Sequence, residues 1–106
     1  FDCGMEPAAT DRYLRNFVYP EASAAEYMVE RDIACFAIDA LSADMPGAEL
    51  DEHHVHYTLL PEDIPIIEGV ANLGAVSAGR YDVIATPIPY ENRDGSQIRL
   101  LVRPQD

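Results

Sequence analysis

The three histidines of the chain, His53, His54 and His56, lie within four consecutive positions. Imidazole is the commonest protein ligand for zinc-like ions, and a short helix can hold one ring rigidly. Glu68 follows twelve residues after His56, at the end of an Ile-Pro-Ile-Ile run, where a carboxylate must face solvent or pair with a positive group. A metal site that uses His56 and Glu68 is therefore feasible.

The same residues have a simpler interpretation. Three neighbouring histidines preceded by Asp51 and Glu52 could form the solvated face of a helix, in an ordinary soluble α/β domain. Glu68 could equally mark the exposed end of a strand. Residue types and spacing alone leave both interpretations open.

The elements that would position these residues follow from the apolar pattern. Ser23 and Glu26 have the spacing of a capping box, which predicts a helix over 23–31. The apolar run 33–41 predicts a strand that is covered on both faces. The other predicted elements are a helix from 51–52 that ends before Pro61, strands over 64–68 and 81–88, and a strand over 97–102 that closes a hairpin around Asp94 and Gly95.

The predicted order is helix, strand, helix, strand, strand, strand. This order is typical of the α/β or α+β class, with a mixed β-sheet and flanking helices. A length of 106 residues fits one domain or part of one.

Composition narrows the possible partners. Seven Lys and Arg against nineteen Asp and Glu give a net charge of −12, which argues against nucleic acid and anionic membranes as partners. Two cysteines, Cys3 and Cys35, are too few for a disulfide scaffold, and Cys35 lies in an apolar run that predicts a buried, inert thiol. Without an apolar stretch of about 20 residues, we expect a soluble protein of the cytoplasm.

Residues 56–73, HYTLLPEDIPIIEGVANL, resemble a pattern of the kynurenine formamidase-like cyclase family, H-x-x-L-L-x-x-x-I-x-I-I-E-x-L-x-N-L. In that family the His and the Glu are metal ligands. Residues 38–44 resemble the family's I-D-x-x-S-x-D, and 94–99 resemble its D-G-S-P-x-R, with Gln97 in place of Pro. The similarity extends over about residues 20–103.

The resemblance implies a metal-dependent hydrolase of amide or lactam C–N bonds, similar to an arylformamidase or an isatin hydrolase, with a small-molecule substrate. It implies that His56 and Glu68 bind a divalent metal, zinc or manganese, and that the fold is a swivelling β/β/α cyclase fold. Asp39, Ser42 and Asp44 are weaker candidates for the substrate pocket, because they follow a predicted buried strand.

The chain departs from the family in one respect. The principal motif, H-x-G-T-H-x-D-x-P-x-H, supplies most metal ligands and the general acid/base, and it does not occur in this sequence. We therefore expect residues 1–106 to be the C-terminal portion of a single cyclase-like domain, incomplete in this chain and without a catalytic residue of its own. The upstream half would be a separate or missing chain, and we expect a partner or a homo-oligomer. The alternative is a non-catalytic acidic binding or assembly subunit that retains the scaffold.

Overall fold

The computed structural model describes residues 12–14, 16–45 and 53–105. The chain divides into two compact units, with the boundary between Ala71 and Asn72. The described residues of the first unit include the helices Ala22–Glu30 and His54–Leu59, a helical stretch at 12–14 and 16, and a pair of parallel strands, and those of the second include a β-hairpin. The described elements follow the predicted order, and the α+β class with small sheets and helices is confirmed.

Helix α1 (Ala22–Glu30) confirms the first predicted helix but not its predicted cap. The amides of Ala24 and Ala25 donate to the carbonyl of Glu21, at 2.9 and 3.3 Å, so the helix already begins before Ser23. The N-cap is Glu21, whose side chain makes no capping hydrogen bond. The capping-box prediction is therefore wrong, and Ser23 lies exposed in the first turn.

Strands β1 (Phe36–Ala37) and β2 (Ile66–Ile67) form a parallel pair, in which Phe36 lies opposite Ile66. Both are shorter than predicted, and the side chains of β1 are half-buried or exposed. The prediction of a strand covered on both faces is wrong for the described residues, among which β1 has one neighbouring strand. Cys35, at the start of β1, is also exposed, so the prediction of a buried thiol is wrong.

Helix α2 (His54–Leu59) packs against α1 through Val55 and Leu59, which are both fully buried. The helix ends before Pro61, as predicted, because its last turn tightens into a 3₁₀ turn over Leu60–Glu62. The predicted start at 51–52 lies outside the described residues. The core of this unit consists of Ala25, Ala43, Val55, Leu59 and Ile64.

In the second unit, β3 (Tyr81–Pro87) pairs antiparallel with β4 (Ile98–Pro104), which confirms the predicted hairpin. The connection is longer than a tight turn at Asp94 and Gly95, since the last ladder pair joins Pro87 to Ile98. Several apolar side chains of the two strands are more than half exposed: Val83, Ile84 and Leu101. An isolated two-stranded hairpin is only marginally stable in water.

Across the described parts of the chain, the helices are too short and too polar to span a bilayer.

Leu59→Ala tests the core of the first unit. Leu59 is fully buried, so its truncation should lower the free energy of unfolding by about 2–5 kcal/mol. Leu60→Ala is the matched control, because Leu60 is 51% exposed, and it should change stability by no more than about 0.5 kcal/mol. Urea denaturation of both variants measures the difference, and equal losses would contradict the packing.

The hairpin carries an ion pair across its strands. Asp82 lies opposite Arg103, and its Oδ2 accepts hydrogen bonds from Nη2 and Nε of that residue, at 2.5 and 3.2 Å. Its Oδ1 accepts a hydrogen bond from Nε2 of Gln105, at 2.6 Å. The hydrogen bond from Gln105 and then that from Arg103 lower the pKa of Asp82 below its usual value.

Gln105→Ala should raise the pKa of Asp82 toward its ordinary value, because the largest cause of the lowered pKa is removed. A lowered pKa in the folded state means that the contribution of Asp82 to stability is complete above the unfolded pKa of about 3.9 and is lost as the pH falls through the folded pKa. Titration of the side-chain carboxyl carbon by NMR measures the shift. Gln97→Ala, at an exposed glutamine of the same unit, is the control and should leave the titration unchanged.

Candidate metal site

The N-cap of helix α2 is His53, whose side chain makes no capping hydrogen bond. An acceptor from the loop after β1 takes the place of this cap. Oδ1 of Asp44 accepts the amide of Val55, and Oδ2 accepts the amide of His56, both at 3.0 Å. These are the second and third amides of the helix, which an N-cap oxygen usually satisfies, and a negative charge is favourable at this end of a helix. The Asp44 side chain is only 3% exposed.

The same carboxylate holds the imidazole of His56. Oδ2 of Asp44 lies 2.6 Å from Nδ1 of the ring. Burial by itself raises the pKa of Asp44, but the hydrogen bonds from His56 and Val55 together outweigh it and lower that pKa. An ionised carboxylate only accepts hydrogen bonds, so Nδ1 of a neutral ring must carry the proton and Nε2 presents a lone pair.

Glu68 follows β2 directly and meets the other side of this ring. Its Oε1 accepts the amide of Ala43 at 2.7 Å and lies 3.4 Å from Nε2 of His56. Both side chains are about one-third exposed, at 29% for His56 and 34% for Glu68. Two electron-pair donors that face each other in this way are suited to a shared cation.

The separation of these two atoms fits a metal ion. Two atoms bound to one tetrahedral zinc, at bond lengths of about 2.0–2.1 Å, lie about 3.4 Å apart. Nε2 and Oε1 lie at that separation. One imidazole nitrogen and one carboxylate oxygen suit zinc or manganese and do not distinguish between them.

The parallel pairing of β1 and β2 helps to explain why the side chains of His56 and Glu68 meet, because it brings the loop after β1, which contacts both, beside Glu68. The carboxyl ends of parallel strands lie at one edge of a sheet, where α/β proteins commonly bind ligands. The loop after β1 contains Ala43 and Asp44, and Glu68 comes directly after β2. A hydrogen bond of 2.8 Å from the amide of Gly69 to the carbonyl of Ala40 fixes the two chain segments side by side.

A second group of possible ligands consists of Asp44, His53 and His56, whose ligand atoms lie within 4.8 Å of one another. However, the 2.6 Å separation of Asp44 Oδ2 and His56 Nδ1 is that of a hydrogen bond. Ligand atoms of different residues on one ion are about 3 Å apart or more. The geometry therefore favours the open side of the ring, where Glu68 lies.

The structure thus brings His56 and Glu68 together, as the sequence predicts. Ser42 lies in the loop after β1, and its Oγ accepts the amide of Asp44 at 3.2 Å, while Asp39 is exposed. The link from Asp44 to His56 was not predicted, because the sequence predicted a helix that starts at 51–52 with acidic residues of its own. In the structure the N-cap is His53 and the first turn has no acidic residue, so the free helix amides need an acceptor from elsewhere.

Comparisons with known proteins find similarity both in sequence and in structure. The kynurenine formamidase of Bordetella petrii is 30% identical over 99 residues, which are 92% of this chain and 46% of that protein. The kynurenine formamidase of Bacillus cereus is 34% identical over 84 residues, 78% of this chain and 38% of that protein. A solved structure described as a potential metal-dependent hydrolase with cyclase activity matches with a TM-score of 0.73 and 28% identity, over 90% of this chain and 48% of the other.

The chain is similar in sequence to kynurenine formamidases and in structure to a potential metal-dependent hydrolase with cyclase activity. No family model matches it, so this conclusion depends on the relatives and on the solved structure. The chain spans less than half the length of these relatives, and this partial coverage fits the predicted C-terminal half. The similarity to a metal-dependent hydrolase and the cluster of possible ligands, Asp44, His53 and His56, suggest a divalent metal, and the similarity does not favour the non-catalytic alternative.

Asp44→Ala tests the support of α2. It leaves two helix amides without their acceptor and should lower the free energy of unfolding by about 1–3 kcal/mol. Asp39→Ala removes an exposed aspartate of the same segment and should change stability by less than about 0.5 kcal/mol. Urea denaturation at neutral pH compares the two, and a loss shared by both would argue against the capping role of Asp44.

Proposed function

We propose that this chain supplies two ligands, His56 and Glu68, to the metal site of a hydrolase that cleaves amide or lactam C–N bonds. The observation that carries the proposal is the 3.4 Å separation of His56 Nε2, on helix α2, and Glu68 Oε1, directly after β2, which would let both atoms bind one ion. The similarity to kynurenine formamidases supports a formamide or a related amide as the substrate. An N-formyl aromatic amine is the simplest substrate of this class.

The metal would be zinc or manganese. A divalent ion supplies Lewis acidity for the hydrolysis of an unactivated amide. The residues of this chain contribute by binding: His56 offers a neutral nitrogen and Glu68 a negative oxygen. Their partial exposure leaves room for a substrate carbonyl on the same side.

We further propose that the remaining ligands and the general acid/base come from a second segment, the upstream half of the fold. A catalytic zinc usually has three protein ligands, and His56 with Glu68 supplies two. The exposed apolar side chains of the β3–β4 hairpin support an additional partner surface, because Val83, Ile84 and Leu101 are each more than half exposed. A homo-oligomer would be a further way to cover them.

Hydrolysis assays test this function. The chain is co-expressed with the part of the Bordetella petrii relative that it does not match, and formanilide and a lactam are supplied with zinc or manganese. His56→Ala should reduce hydrolysis by more than ~100-fold. Loss of a residue that hydrogen-bonds to a metal ligand typically costs about 10–100-fold in activity, and loss of the ligand itself should cost more. Formation of aniline or of the ring-opened acid measures the rate.

His54→Ala is the matched control, because His54 belongs to the same helix and is exposed. Its activity should equal that of the unmodified chain. Undiminished metal-dependent hydrolysis in His56→Ala would contradict the proposed ligand. Full activity of the chain without the upstream segment would contradict the need for a second half and leave the metal ligands as proposed.

A further inference from the structure

The two proposed ligands are supported by adjacent residues of one loop. Ala43 donates its amide to Oε1 of Glu68 at 2.7 Å, and Asp44 accepts the Nδ1 proton of His56 at 2.6 Å. Ala43 is fully buried and Asp44 is 2% exposed, so the loop is fixed by its surroundings. The amide of Asp44 is itself held by Oγ of Ser42.

We propose that the dipeptide Ala43-Asp44 is the positioning element of this site. The Asp44 carboxylate fixes His56 in the tautomer that carries its proton on Nδ1, and the Ala43 amide directs Oε1 of Glu68 toward the free Nε2. This inference builds on the proposed function, because it takes His56 and Glu68 as ligands. Asp44 then acts through His56 and contacts neither metal nor substrate.

The hydrogen bonds of Asp44 distinguish this role from that of a ligand or a substrate contact. Its Oδ2 accepts both the amide and the ring proton of His56, and its Oδ1 accepts the amide of Val55. A carboxylate with three such hydrogen bonds and 3% exposure has no face open to a small molecule. A partner of this kind behind a ligating histidine fixes its tautomer and raises its basicity.

Oδ2 of Asp44 has two roles, one in the helix backbone and one at the imidazole ring. It satisfies the helix amide of His56 and holds the ring of the same residue. If the ring turned about its side-chain bonds, it would lose its hydrogen bond to the group that holds the helix N-terminus. The backbone position of α2 and the direction of Nε2 are set by one buried group.

The tautomer can be measured without any metal. Protein labelled with ¹⁵N-histidine is examined by two-bond ¹H–¹⁵N spectroscopy at pH about 8, above the ordinary histidine pKa of about 6.5. We expect His56 to be in the Nδ1–H form, with the exposed His54 as an internal control that exchanges between tautomers. Loss of signals in His56→Gln assigns the ring. An Nε2–H form, or a mixture like that of His54, would overturn the proposal.

Asp44→Asn removes the negative charge and replaces one acceptor oxygen by an amide donor, so at least one of the three donors loses its acceptor and the ring proton loses a charged one. The Nδ1–H preference of His56 should decrease, and zinc should bind about 10–100-fold more weakly. Zinc affinity is measured by adding zinc and following the ¹⁵N chemical shifts of the His56 ring. Asp32→Asn, at an exposed aspartate of the same unit, is the matched control, and both readouts should stay unchanged. If Asp44→Asn does not fold, the tautomer in the unmodified protein still decides the question.

The outcomes separate this inference from the proposed function. Zinc that binds without shifting the His56 nitrogens would end the proposed function, while the tautomer would still report on Asp44. Zinc that binds through His56 with equal affinity in the unmodified protein and in Asp44→Asn would overturn the positioning role alone. A purely structural role for Asp44 would lower stability and leave the tautomer of the folded variant unchanged.

Discussion

The buried carboxylate of Asp44 is the group on which the candidate site depends. It replaces the missing cap of α2 by accepting two helix amides, and it accepts the ring proton of His56. A buried charge is costly unless its hydrogen-bonding capacity is filled, and here the helix N-terminus and the imidazole fill it. The loop, the helix and the ring are therefore joined through one buried group.

The parallel pairing of two short strands determines where Glu68 lies relative to the loop after β1. β1 and β2 contribute only two residues each, but they bring the loop after β1 beside Glu68. The amide of Ala43 then reaches Oε1 of Glu68, while Asp44, the next residue, reaches His56. The two candidate ligands, which lie twelve residues apart in sequence, thus meet at one edge because the loop after β1 contacts both of them.

Local sequence patterns predicted the types of element better than their ends. The helix at 22–30 was predicted from residues that favour helix, but its cap was wrong, because the chain already turns at Glu21. The run 33–41 predicted a long, covered strand, whereas the described strand has two residues. Apolar patterning reports which residues prefer burial, and it does not report which neighbours are available to cover them.

The candidate ligands could be predicted because the pattern around them is local: the histidine, the glutamate and the apolar residues between them lie within 13 consecutive positions. Asp44 appeared in the same sequence only as one polar residue of a loop. Its importance depends on three hydrogen bonds to residues 11 and 12 positions further on, which bring together a loop and a helix. The sequence by itself therefore determined the types of element and the chemical character of His56 and Glu68. Tertiary structure decided how the ring is oriented and what holds the carboxylate, because hydrogen-bond direction depends on the positions of groups that are distant along the chain.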